Sequence, residues 1–268
     1  MVEAIFEADV NERPANQSVM KMLQLISLLS ESRTPMKLQD IAFGVDMPKA
    51  SVLRYLNALI QEGYAYKDEL LGRYALTWKI CGVGDNVRSA LSIRTLAGEL
   101  INELSGSLGL GVSLVVEQDM ECMYLDCVYE PNMMGPTLQR IGNRSPMHST
   151  SSGKLFLSGF SDAKLDEFIK RKKLAKLTAN TITTKEKLTE ELKRVRENGF
   201  AMDNEECEDG LRCLAFPIYD YNGALAAAIS CFGSSERFTD DFIENTIKPK
   251  LSAAAREISF RMGGNCEK

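Results

Sequence analysis

The sequence predicts an α+β chain in two parts: a winged helix-turn-helix, then a linking helix that leads into a larger domain built on an antiparallel sheet. Three observations carry this. Residues 16–82 hold three short amphipathic helical patterns followed by two strand-like runs. Residues 83–108 keep a helical period throughout. Beyond them, strand-like runs at 111–141 and 214–232 bracket a set of helical stretches.

Composition sets the frame. With 268 residues, 44% of them hydrophobic and 26% charged, the chain is globular and has room for two domains. No run of 18 apolar residues exists, so no membrane span is expected. The first 15 residues, acidic at Glu3, Glu7, Asp9 and Glu12, are expected as a flexible tail and lack the basic-then-apolar order of a leader. The expected location is the cytoplasm. Net charge is −5, but residues 16–82 hold eight basic against six acidic side chains, a local +2 that leaves −7 for the rest. A mildly basic head on an acidic body suits a head that meets phosphate. Seven cysteines without a CxxC pair are expected as reduced thiols, and the single histidine, His148, offers no zinc spacing. No metal and no cofactor is expected.

In the head, Val19, Met22, Leu23, Ile26 and Leu29 make the apolar face of a first helix that opens at Ser18 and stops before Thr34–Pro35. A short second helix, 38–43, turns Leu38 and Ile41 inward and Gln39 and Asp40 outward, and Gly44 ends it. A third, 48–62, starts with Pro48 in its first turn, where the missing N–H costs nothing. Its apolar stripe is Val52, Leu53, Leu56, Leu59 and Ile60, and Gly63 follows as the terminating residue. The runs 64–67 and 73–77 read as a hairpin. In such a motif the third helix enters the major groove of double-stranded DNA. Its outward residues Lys49, Ala50, Ser51, Arg54 and Tyr55, with Gln39 on the second helix and Arg73 on the wing, are the expected DNA contacts.

In the body, the linking helix 83–108 carries Val87, Leu91, Leu96, Leu100, Ile101 and Leu104 as its apolar set. Strands are expected at 111–117, 122–128 and 137–141, with a turn at Asp119–Met120. On a regular strand, Cys122 and Cys127 face opposite sides. Helices follow at 151–160, 163–170 and 185–198, the last opened by a Thr183–Glu186 capping box and ended by Gly199. Strands 214–218 and 224–232 flank the hairpin signal Asn222–Gly223. Residues 240–262 close the chain as a helix, kinked or broken at Pro249.

Several stretches resemble the IclR family of bacterial transcription regulators: 18–29, 40–42, 48–63 and 72–76 in the head. In the body they are Gly199, Asp203 and Glu206, then Cys213-Leu214-Ala215 and Ile218-Tyr219-Asp220, and a second block from Ile141 to His148 followed by Ser151-Ser152-Gly153-Lys154. The resemblance runs from about residue 16 to 262 and is nearest, by inspection, to sugar-acid-type members. It departs at Ala50, where the family typically has a hydroxyl residue before Ser51 and Arg54. It implies a tail at 1–15, a winged helix-turn-helix at 16–82, a linker helix at 83–108 and a GAF-like effector-binding domain at 109–268.

The function implied is that of a repressor. It would bind an inverted-repeat operator as a homodimer or homotetramer and be controlled by a small carboxylate. The implied effector residues are Met147, Ser151, Ser152, Gly153, Asp203, Leu211, Cys213 and Ser230. Residue chemistry agrees: a helix opening at Ser151 offers free N–H groups to a carboxylate, and the Asp203 charge favours hydroxylated monoacids over diacids. Phe232 stands where relatives carry a small hydroxyl residue. A rival reading is a cysteine-dependent hydrolase with Cys213 as nucleophile, His148 as base and Asp203 as orienter. It leaves the DNA-binding head unexplained and lacks a nucleophile elbow.

Overall fold

A computed structural model describes residues 16–90, 92–129 and 141–264. The chain divides into two units after Ala90. The first unit opens with α1 (Gln17–Glu31), capped by the Asn16 side chain, which accepts from the amides of Ser18 and Val19. Leu25 and Leu29 are its buried residues, while Val19 and Leu23, expected inward, are 54% and 58% exposed. Apolar side chains occupy more than one face of this helix, so periodicity alone does not select which face packs. β1 (Met36–Lys37) and α2 (Leu38–Gly44) follow, with Ile41 and Ala42 buried. In α3 (Lys49–Gln61), Pro48 is the cap rather than a first-turn residue, and its carbonyl accepts from Ser51 and Val52. Val52, Leu56 and Leu59 are buried and Ile60 packs half-buried on the same core, while Leu53 is exposed. Gly63 takes φ +75°, as a helix-ending residue does.

β2 (Ala65–Asp68) and β3 (Arg73–Leu76) form the hairpin, and β1 joins β3 on its other edge. The Asp68 side chain accepts from the amides of Leu70 and Leu71, which fixes the tip. α4 (Lys79–Ala90) completes the unit.

The second unit begins with α5 (Ile93–Leu108). The single helix expected at 83–108 is therefore two. Ser92 adopts extended backbone and its hydroxyl accepts from the Thr95 amide, so a fresh helix starts there. Leu91 lies outside the described residues. β4 (Gly111–Gln118), β5 (Glu121–Val128) and β6 (Arg144–Ser145) come next. Of the strand expected at 137–141, only Ile141 is described, in a turn. Then come α6 (Ser151–Ser158), α7 (Asp162–Lys172) and α8 (Lys185–Asn198). The cap of α8 is Thr184, one residue later than expected, since it is Thr184 whose hydroxyl reaches the amide three residues on.

β7 (Ala201–Asn204), β8 (Leu211–Tyr219) and β9 (Leu225–Ser234) complete an antiparallel sheet of order β6-β5-β4-β9-β8-β7. The β8–β9 turn is fixed by Asp220, whose carboxylate accepts from Asn222 and Ala224, while Gly223 alone turns left-handed. α9 (Asp240–Phe242) runs through a π-helical turn (Ile243–Ile247) into α10 (Lys248–Arg261). The helix does not break at Pro249: the wider turn just before it absorbs the missing N–H and the ring.

The sheet is covered on both faces. Ala97, Ile101 and Leu104 of α5 and Leu251 and Ile258 of α10 pack on Val112, Leu114, Leu214 and Ile229. On the other face, Leu155 and Leu157 of α6 and Leu188 and Leu192 of α8 pack on Val115, Tyr124, Ala215 and Ala228. β5 carries a bulge opposite Leu114–Val115, which pairs Cys127 with Ser113 and Cys122 with Glu117. Ser113 and Glu117 share a face, so both cysteines do too. The expectation of opposite faces fails because the strand is not regular.

Candidate functional site

In the first unit, α3 presents Lys49, Ala50 and Arg54 to solvent, with Ser51 and Tyr55 half-buried. Gln39 is exposed on α2, and it lines a surface groove with Phe43, Asp46, Met47 and Lys49 where α2 turns into α3. Arg73 is half-buried at the start of β3. The phenol of Tyr55 is held below its usual pKa by the Ser18 hydroxyl of α1 first and by Arg54 after it. The Arg54 guanidinium lies over the Tyr55 ring, 5.3 Å from its centroid. Tyr55 thus props an arginine that α3 points outward. Phe43, 91% exposed beside this arginine-bearing helix, escaped the sequence reading because a lone apolar residue at a helix end carries no periodic signal.

In the second unit, residues 147–153 lead into the start of α6, above the sheet. Thr150 caps α6: its hydroxyl accepts from the Gly153 amide at 3.3 Å and donates to the Pro146 carbonyl at 2.8 Å. The Lys154 amide bonds the Thr150 carbonyl, so the amides of Ser151 and Ser152 precede the first intrahelical bond. Gly153 is forced to be glycine, since a Cβ there would stand 2.2 Å from the Met147 Cα. Met147, Ser151 and Ser152 are buried.

The sheet face that α6 covers carries the other residues in two rows. Register places Asp203 beside Cys213, Cys213 beside Phe232 and Phe232 beside Gly111. The next row is Ala215, Ser230, Ser113 and Cys127. Ser230 shares a buried hydroxyl–hydroxyl bond of 3.0 Å with Ser113, which no local pattern singles out. Leu211 belongs to a small apolar cluster with Cys127, Cys213 and Phe232.

Electrostatics concentrate at Asp203. It has no exposed surface; Oδ1 accepts from the Glu206 amide at 2.8 Å and the Cys207 amide at 3.3 Å, and Oδ2 has no hydrogen-bond partner. Burial pushes this carboxyl up to about 7; the two amides and Lys154 pull the other way and Glu206 adds to the rise. Burial thus favours the protonated form of Asp203, and the charge argument against diacids weakens accordingly.

Lys154, fully buried on α6, bonds Glu206 Oε1 at 2.5 Å and Glu191 of α8 at 3.2 Å. Thr178 and Thr181 brace the same loop by donating to the carbonyls of Glu205 and Glu206. Lys154, Thr178 and Thr181 were not legible as site supports, because each acts across more than 20 residues of chain.

Nothing in the chemistry of these residues favours the hydrolase reading. Burial, reinforced by the Asp203 charge, pushes the Cys213 thiol well above its usual value, so it is not a thiolate. His148 Nε2 lies 3.0 Å from the Ala175 carbonyl and is committed as a donor, and burial lowers the ring's pKa. Among the described residues, no cluster of three His, Cys, Asp or Glu could hold a metal ion, and no helix is long and apolar enough to cross a membrane.

Comparison with known proteins fits this arrangement. Residues 18–69 match the IclR helix-turn-helix domain, and residues 86–260 match the family described as bacterial transcriptional regulator IclR C-terminal. The regulator KdgR of Escherichia coli is 30% identical over 260 residues, which is 96% of this chain and 97% of KdgR. The crystal structure of the Thermotoga maritima IclR is 29% identical, with a TM-score of 0.61 over 92% of this chain and 99% of that one. A double mutant of the PobR inducer-binding domain from Acinetobacter, solved with 3-hydroxybenzoic acid, is 28% identical over 63% of this chain and 98% of that one, with a TM-score of 0.60. The matched families and relatives are regulators of transcription, not enzymes. The chain belongs to the IclR family and is a DNA-binding transcriptional regulator.

Proposed function

We propose that the protein is a repressor released from its operator by a small organic acid bound between the start of α6 and the sheet. The observation that carries this is the Asp203 carboxyl, buried with an unbonded oxygen on the face that α6 covers. The Ser151 and Ser152 amides take the carboxylate. Asp203 and Cys213 meet the ligand's hydroxyl or keto oxygens, and Met147, Gly153 and Leu211 supply the wall, with Ser230 behind. The PobR domain solved with a hydroxybenzoic acid and the E. coli repressor IclR support the reading by likeness.

On DNA, α3 lies in the major groove. Arg54 reads a base, Lys49 meets phosphate, Ala50 and Ser51 approach base edges, and Gln39 and Arg73 hold the flanking backbone. Two or four copies bind an inverted repeat. A ligand changes DNA affinity only by preferring one of two arrangements of the protein. The test is selection of genomic fragments on the full chain, followed by titration of small acids against the protein–DNA complex. An inverted-repeat site released by an acid supports the proposal. Selection of no site, or a complex indifferent to every acid that calorimetry shows to bind, overturns it.

A further inference from the structure

The Phe232 side chain is fully buried on β9, and its ring lies directly over Gly111 of β4. A Cβ at residue 111 would stand 2.3 Å from two ring carbons, so ring and glycine are a matched pair: the glycine exists to make room for the phenyl. Tyr129 closes the far side with an edge-on contact, centroids 5.9 Å apart at 75°, and Cys127, Leu211 and Cys213 complete the cluster. The row Asp203–Cys213–Phe232–Gly111 therefore changes character halfway. Its β7–β8 half is polar, with an unbonded carboxyl oxygen. Its β9–β4 half is filled by the ring. Neighbouring strands lie about 4.8 Å apart, so the ring takes roughly two strand widths, ~10 Å, from the face a ligand could use.

We infer that Phe232 sets the upper size limit of the effector, restricting it to hydroxy- or keto-monoacids of two to four carbons and shutting out six-carbon sugar acids and aromatic acids. This rests on the reading that an acid binds at the start of α6. With its carboxylate on the Ser151 and Ser152 amides, a short acid covers β7 and β8 and ends at the ring. A longer one needs the space above Gly111. The sugar-acid expectation from the sequence narrows to short acids.

The test uses the full chain and calorimetric titration with pyruvate, glycerate, gluconate and 3-hydroxybenzoate against the parent, Phe232→Leu and Phe232→Ser. The parent should bind pyruvate or glycerate and neither larger acid. Phe232→Ser should gain at least ten-fold for gluconate or 3-hydroxybenzoate, with Phe232→Leu between. Gly111→Ala should lower the melting temperature of the parent and be tolerated beside Phe232→Ser, which checks the matched pair even if the serine variant is weakly folded. Parent chain that binds gluconate as well as the serine variant does overturns the size limit, as does an unchanged cut-off in both variants. In either case the acid site itself stands. Failure of every acid to bind any of the three proteins overturns the acid-site reading and the size limit with it.

Discussion

Asp203 shows how one buried group couples stability to pH. Its carboxyl titrates near 7 in the native protein against 3.8 for the ordinary side chain, burial being the main cause. Below pH 4 both native and unfolded chains are protonated there. Between about 4 and 7 the unfolded chain ionises first, so the native state holds the extra proton and stability falls as pH rises. Above 7 the loss is complete. Asp203→Asn keeps an oxygen for the Glu206 and Cys207 amides and cannot ionise. It should flatten the decline by up to about 4 kcal/mol between pH 4 and 8, read as urea-unfolding midpoints at several pH values. A slope equal to the parent's would show that Asp203 ionises as freely folded as unfolded. Gly153→Ala, by contrast, should unfold α6's first turn at any pH, since its new methyl meets Met147 backbone and not a movable side-chain tip. Asp203 and Cys213 could be singled out from the sequence because they lie within one signature stretch. Ser113 could not, because its bond to Ser230 spans 117 residues and depends on sheet register.

At the scale of elements, local chemistry predicted which segments are helices and strands, and long-range packing decided their faces and joints. Gly63 and Gly199 end helices as their sequence context requires. The inward sets of α1 and α3, the join at Ser92 and the bulge in β5 each depend on a partner that local pattern does not contain. α6 is the element most dependent on such a partner. Its buried Lys154 ties it to the loop after β7 and to α8. Removing one member of a buried ion pair strands the other, so Lys154→Met should cost about 3–5 kcal/mol. Pairing it with Glu206→Leu should restore most of that, because two apolar groups replace two charges. Equal melting of single and double variants would show that Glu206 is solvated in solution. In α3, Arg54→Ala should weaken operator binding by about 1–3 kcal/mol and relax selectivity at one base pair. Lys49→Ala should weaken binding to all sequences and lower the salt slope by about one. Binding assays at three salt concentrations distinguish the two, and unchanged affinity in both variants would mean that another face of α3 meets DNA.

For the whole molecule, buried surface decides how tightly DNA is held. A single winged helix-turn-helix places one short recognition helix in one major groove, and modules of this kind bury too little to hold an operator tightly alone. The local excess of positive charge in residues 16–82 is only +2, within a chain of −5, so non-specific attraction to phosphate contributes modestly. Tight binding then needs a second copy of α3 on the same DNA. A two-fold pair of chains reads a two-fold pair of half-sites, spaced one helical turn, about 34–36 Å, or a multiple of it. The full chain should therefore sediment as a dimer or tetramer at the concentrations where it binds, and its footprint should be symmetric about the centre of an inverted repeat. A fragment ending near residue 82 should bind the same site at least a hundred-fold more weakly, because it loses the partner's contacts along with the rest of the chain. A symmetric site bound with equal affinity by that fragment would place the dimer contacts within the first unit. An asymmetric footprint with a monomeric chain would refute two-fold recognition altogether, and would require one copy of α3, with Arg54, Lys49 and Phe43 beside it, to supply the whole affinity.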